Sequence, residues 1–263
     1  MLSHYVREMK FGPSISLTFQ GKVGAMEIGD CDNDNKNEII IGSINGYLAI
    51  YKSNLNNISS NLFASLSYKN VNEAIYDFPN VKPSYQAENL GAITCILVCH
   101  NLWTNNNNKD DQCLLVCTTQ GIMHIFIFDD SIKSDNNNEI INIKPNFSLF
   151  IPDNTSAISN AIINHENMLI FGTRSRQIHI YKKSIQSKEN DYNIESIKMI
   201  SLTSQINALA TCMIMNNLYL LVGLENGTIF ISLKEKDNFK VLDQLFNDND
   251  KRVLVTNINK DNL

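Results

Sequence analysis

No stretch of this 263-residue sequence approaches the roughly 18 consecutive apolar residues of a membrane-spanning helix, and the opening MLSHYVREMKFGPS lacks the apolar core of a secretory signal. Basic residues do not dominate: 22 Lys and Arg stand against 27 Asp and Glu with no basic block, which argues against a nucleic-acid surface. There is no glycine-rich phosphate loop and no G-x-S-x-G nucleophile elbow. His100, His124, His165 and His179 are scattered, so no residue is nominated as catalytic and no enzyme is expected. The six cysteines, Cys31, Cys95, Cys99, Cys113, Cys117 and Cys212, fall mostly inside apolar runs. That placement suits buried thiols in a reducing compartment better than a disulfide framework or a zinc knuckle, and a cytoplasmic protein is expected.

What the sequence does have is a repeat. Four segments share one pattern: EIIIGSINGYLAIYK (38–52), CLLVCTTQGIMHIFIF (113–128), MLIFGTRSRQIHIYK (168–182) and YLLVGLENGTIFISL (219–233). Each is an apolar run, a short turn and an alternating apolar run, the signature of a β-hairpin, with Asn45-Gly46 and Asn226-Gly227 suited to tight turns. The residues after the turns, Gly46, Gly121, Arg176 and Gly227, are 75, 55 and 51 residues apart. Polar tracts at 53–61, 79–91, Asn105–Asn108 and Asn136–Asn138 account for the longer intervals and read as solvated loops.

Short strands also recur beside the hairpins, ISLTFQ (15–20), FSLFIP (147–152) and ISLTSQ (200–205), each read as an outer strand that leads into a strand of small apolar residues. Four strands in about 50 residues is the period of a β-propeller blade. A β-sandwich is the alternative, but it would not repeat one hairpin four times. The expectation is an all-β chain forming one partial propeller over 1–263, with blade units at 21–78, 91–152, 156–203 and 205–246 and a further blade starting at 251–263. Such a chain would be a piece of a propeller of about seven blades.

The loop GDCDNDNKNE carries Asp30, Asp32, Asp34 and Glu38 at its first, third, fifth and ninth positions. Alternating carboxylates can converge on a hard cation, and Ca2+ takes six to eight such oxygens. The loop is not an EF-hand: Asn35 stands where glycine is required and Ile41 where the last carboxylate would be. Two readings stand, a structural Ca2+ bound by these four residues, or Asp and Asn side chains that cap their own backbone without an ion. Asn257, Asn259 and Asp261 form a weaker copy. Trp103, the single tryptophan, lies in the polar segment NLWTNNNNKDD, as a partner anchor or as a ring folded back on its blade.

At GDCDNDNKNEIIIGSINGYLAIYK, preceded by SLTFQG and followed by GAITCILVC, LLVCTTQGIMHIFIF, FIPDNTSAIS and MLIFGTRSRQIHIYK, the chain resembles the integrin-α FG-GAP repeat-containing proteins that form the propeller subunit of the KICSTOR complex. The resemblance implies a non-catalytic scaffold. Its partners would be the other KICSTOR subunits and the GATOR complex, and it would restrain TORC1 under nutrient limitation at the lysosomal surface, with no membrane insertion of its own. An extracellular adhesion module sharing the calcium loop is the competing reading; a signal peptide and paired cysteines would mark it.

Overall fold

A computed structural model describes residues 19–52, 82–100, 112–128, 140–163, 166–183, 193–214, 217–233 and 241–246. Among them there is no helix, hence none long and apolar enough to cross a membrane. The strands form four sheets. The first contains β1 (Val23–Gly29), β2 (Glu38–Ser43), β3 (Leu48–Tyr51) and β4 (Tyr85–Ala87), side by side in that order. The second contains β5 (Ile93–His100), β6 (Gln112–Thr118), β7 (Ile122–Phe126) and β9 (Phe147–Phe150), while the two-residue β8 (Ile141–Asn142) is a fifth strand of the first sheet, beside β4. The third contains β10 (Thr155–Ile163), β11 (Glu166–Thr173), β12 (Gln177–Lys183) and β13 (Ile194–Ser201). The fourth contains β14 (Ile206–Ile214), β15 (Asn217–Leu224), β16 (Gly227–Ser232) and β17 (Val241–Phe246).

The four repeated segments are the hairpins β2–β3, β6–β7, β11–β12 and β15–β16, all antiparallel. Their turns need a positive φ after the corner. Gly46, Gly121 and Gly227 supply it at 85°, 73° and 146°, while the third hairpin holds Arg176 at 67°. A hydroxyl side chain closes three of the turns: Ser43 accepts from the Asn45 amide, Thr118 from that of Ile122 and Thr173 from that of Gln177.

First strands pack in succession, β1 on β5, β5 on β10 and β10 on β14, so the sheets stack as blades of a β-propeller with these strands innermost. Blades two and three have a neighbour on each face, and their second strands are apolar on both. One core lies between blades one and two (Ile40, Leu48, Ile50 against Ile93, Ile96, Leu114). The next lies between blades two and three and contains Cys95, Cys99, Cys113 and Cys117, all buried thiols. A third core joins blades three and four. At the far side of blade one, Met26 and Ile28 are exposed.

Every innermost strand carries an irregularity at the same place, at Gly24, Thr94, Ser156 and Asn207. An extra residue there bends the strand and re-aims the bulged residue. In blades two and three the hydroxyl so aimed donates to the next blade: Thr94 to the Thr155 carbonyl and Ser156 to the Ile206 carbonyl, both at 2.6 Å. In blade one the bulged residue is Gly24, whose missing side chain would run into the Ile93 carbonyl.

Two expectations are corrected. The first blade runs to Ala87 and not to 78, because Tyr85–Ala87 pairs with β3 inside a segment read as polar loop. The segments 147–152 and 200–205 do not lead into the next unit: β9 pairs with β7, and β13, which starts at Ile194 and ends at Ser201, pairs with β12, so both close the preceding sheet, inside the expected bounds 91–152 and 156–203. β13 follows β12 directly in the chain, so local antiparallel pairing is the short route, whereas β9 reaches β7 only after the chain has formed β8. Residues 15–18, Trp103, both asparagine runs, His165 and 251–263 lie outside the described residues.

Candidate functional site

The acidic loop joins β1 to β2, the two inner strands of the first blade. Its chain is wound tightly, with Asn33 and Asn35 at φ of 60° and 63°, angles that asparagine tolerates better than most residues. The carboxylates hold that winding. Asp30 accepts from the amides of Asp34 (Oδ1, 3.1 Å) and Asn35 (Oδ2, 2.9 Å), and Asp34 Oδ1 accepts from the Lys36 amide at 2.9 Å. Glu38 Oε2 accepts from the Cys31 amide at 3.0 Å, which ties the entry of the loop to its exit.

The loop is also sewn to the second blade. Asn33 Oδ1 accepts from the Gln112 amide at 2.7 Å while its Nδ2 reaches the Gln112 carbonyl at 3.5 Å. A side-chain amide thereby imitates one more residue of strand pairing at the start of β6.

Of the four acidic residues, Asp30, Asp32 and Glu38 come together, each offering an oxygen within 4.8 Å of the others. Asp34 turns its second oxygen elsewhere. Asp32 and Glu38 are 1% and 0% exposed, and among the described residues Asp32 Oδ1 and Glu38 Oε1 are buried without a hydrogen-bond partner. Burial, followed by the charge of Asp32, pushes the Glu38 carboxyl up to about 7. Burial and the adjacent carboxylates of Glu38 and Asp32 likewise push the Cys31 thiol far up, so it remains protonated.

Two residues that the sequence alone does not connect with the loop complete the site. Lys52, directly after β3, places Nζ 2.5 Å from Asp32 Oδ2 and 3.7 Å from Asp34 Oδ2. Tyr85, the first residue of β4, donates its hydroxyl to the same Asp32 oxygen at 3.2 Å, and the ammonium lies 5.3 Å from the centre of its ring. Burial works against the charge on Lys52, but the hydrogen bonds with Asp32 and Tyr85 outweigh it and its pKa ends above the ordinary lysine range.

The donor set fits a hard cation in kind, since it is all oxygen and includes two buried oxygens lacking a partner. Asp30, Asp32 and Glu38 would hold it, with Asp34 reachable from one side. When bound, the ion would neutralise charge and brace the β1–β2 connection. His124 and His179 lie far along the chain on β7 and β12, at equivalent places in their blades. His124 bonds the Leu90 carbonyl and the Ser148 hydroxyl, and burial holds its pKa below the usual value. His179 meets the Gln177 side chain at 3.3 Å.

Residues 78–262, more than half of the chain, match the family described as integrin-alpha FG-GAP repeat-containing protein 2. The chain belongs to this family. The matched span of this FG-GAP protein takes in blades two to four and begins after the acidic loop. No curated protein matches the chain. Among solved structures, the crystal structures of BBS1N in complex with ARL6DN, one soaked with mercury and one with lead, are similar at 14% and 13% identity with TM-scores of 0.47. They cover 84% and 83% of this chain and 52% and 56% of their own, so the FG-GAP chain spans about half their length.

Proposed function

We propose that this protein is a non-catalytic interaction scaffold, the propeller subunit of a KICSTOR-like complex. In that role it restrains TORC1 signalling under amino-acid or glucose limitation by helping to hold GATOR at the lysosomal surface, while the chain itself stays cytoplasmic. The observation that carries the reading is the family match across blades two to four. The architecture supports it: the polar side chains described above brace turns and blade boundaries, and both central histidines are engaged within the blades. The buried thiols between blades two and three suit a reducing compartment.

An extracellular calcium-binding adhesion module is the second reading, favoured by the two partnerless oxygens of Asp32 and Glu38. Affinity purification of the tagged chain from nutrient-starved cells, with bound proteins identified by mass spectrometry, separates the two. Recovery of KICSTOR and GATOR subunits supports the scaffold; their absence when the chain is folded and abundant overturns it.

A further inference from the structure

Two carboxylates of the acidic loop meet the ammonium of Lys52, which follows β3. Asp32 is the most enclosed of the loop's aspartates, and the groups that meet its Oδ2 are the Lys52 ammonium and the Tyr85 hydroxyl. Lys52 also approaches Asp34 Oδ2, the loop oxygen that neither caps the backbone nor joins the Asp30, Asp32 and Glu38 cluster. A single positive charge therefore lies against two carboxylates of the alternating series, where a divalent ion would be expected to draw them together. The ammonium is held from three directions: by the carboxylates, by the Tyr85 ring, and by its own stem leaving the end of β3. Such a pair, mostly removed from water and sharing a hydroxyl, is costly to break on one side only.

We propose that the Lys52 ammonium is the resident cation of the 30–38 loop and stands in for a divalent ion. A Ca2+ at Asp30, Asp32 and Glu38 would meet the repulsion of this ammonium at their shared Asp32, and would find Asp30 and one oxygen of Asp34 already engaged by backbone amides. The loop is thereby braced at any calcium concentration. This inference is independent of the scaffold reading.

The test uses the full chain and its Lys52→Met variant, melted in chelator and in millimolar CaCl2. The parent should melt at the same temperature in both. The variant takes the ammonium away from Asp32 Oδ2 and Asp34 Oδ2, beside the buried oxygens Asp32 Oδ1 and Glu38 Oε1. It should lose at least about 4 °C in chelator and regain most of it in calcium. A parent whose melting depends on chelator overturns the proposal, as does a variant whose loss is the same in both buffers. Should the variant not fold, calcium titration of the parent by calorimetry decides: no binding below millimolar supports the tethered cation, and micromolar binding overturns it.

Discussion

Ser156 donates its hydroxyl to the carbonyl oxygen of Ile206 at 2.6 Å, a polar bridge from the bulge of blade three to blade four, where the Thr211 hydroxyl also donates to the Asn160 carbonyl at 3.0 Å. Thr94 does the same toward Thr155. Replacing either with a group of similar shape that cannot donate, Ser156→Ala or Thr94→Val, should cost about 1 kcal/mol, because a buried carbonyl is left without its donor. The double variant should depart from the sum of the two, since Thr94 bonds the carbonyl of Thr155, the residue directly before Ser156. Urea denaturation of the three proteins checks both statements.

The second strands carry glycines where the next blade leans in. A Cβ on Gly42 would lie 2.5 Å from Ile93 Cγ2, and one on Gly172 would lie 2.5 Å from Ile206 Cγ2. Both isoleucines are fully buried and stiff at χ1, so the blade itself must shift. Gly42→Ala and Gly172→Ala should each destabilise by about 1–3 kcal/mol. Gly223→Ala is the control: its nearest neighbour is Ala208 Cβ at 3.3 Å within its own blade, and its melting temperature should change least.

Arg176 should be improved by glycine. At φ of 67° it sits where the other three hairpins have Gly46, Gly121 and Gly227. Relief of left-handed strain, about 1–2 kcal/mol, outweighs the added freedom of the unfolded chain, about 0.5–1 kcal/mol. Arg176→Gly should therefore raise the melting temperature, and a fall would mean that the arginine side chain has a structural role of its own.

Glu38 sets a pH dependence whose sign follows from its raised pKa. Folded, the carboxyl binds its proton up to about 7, against an ordinary value of 4.5. Between those values the folded state holds more proton than the unfolded one, so stability falls as pH rises from 4.5 toward 7 and stays low above it. In chelator-containing buffer, Glu38→Gln should flatten that slope and be the more stable protein above pH 7. A denaturation series across this window compares the parent with the variant.

The hairpins were legible because each strand repeats apolar character around a turn residue, and an Asn-Gly pair says where the chain reverses. Tyr85–Ala87 was not: three residues are too few to show alternation, and polar tract surrounds them. The acidic residues could be named from spacing alone, and so could the β1–β2 connection they occupy. Their partners could not. Lys52 closes a strand like any surface lysine, and Tyr85 lies 53 residues from Asp32, so only sheet formation joins them. Asn33 meets Gln112 across 79 residues for the same reason. Thr94 and Ser156 were hidden because one hydroxyl in an apolar strand carries no pattern; only the recurrence of the bulge gives it meaning.

The two-residue strand β8 runs parallel to β4, with Ile141 opposite Tyr85 and Asn142 opposite Gln86, and the two amide side chains bond at 2.7 Å. The chain leaves blade two, touches the rim of blade one and returns to finish blade two as β9. Protection against hydrogen exchange should accordingly be lost from β4 and β9 together, because the first blade cannot open its rim without loosening the thread that completes the second.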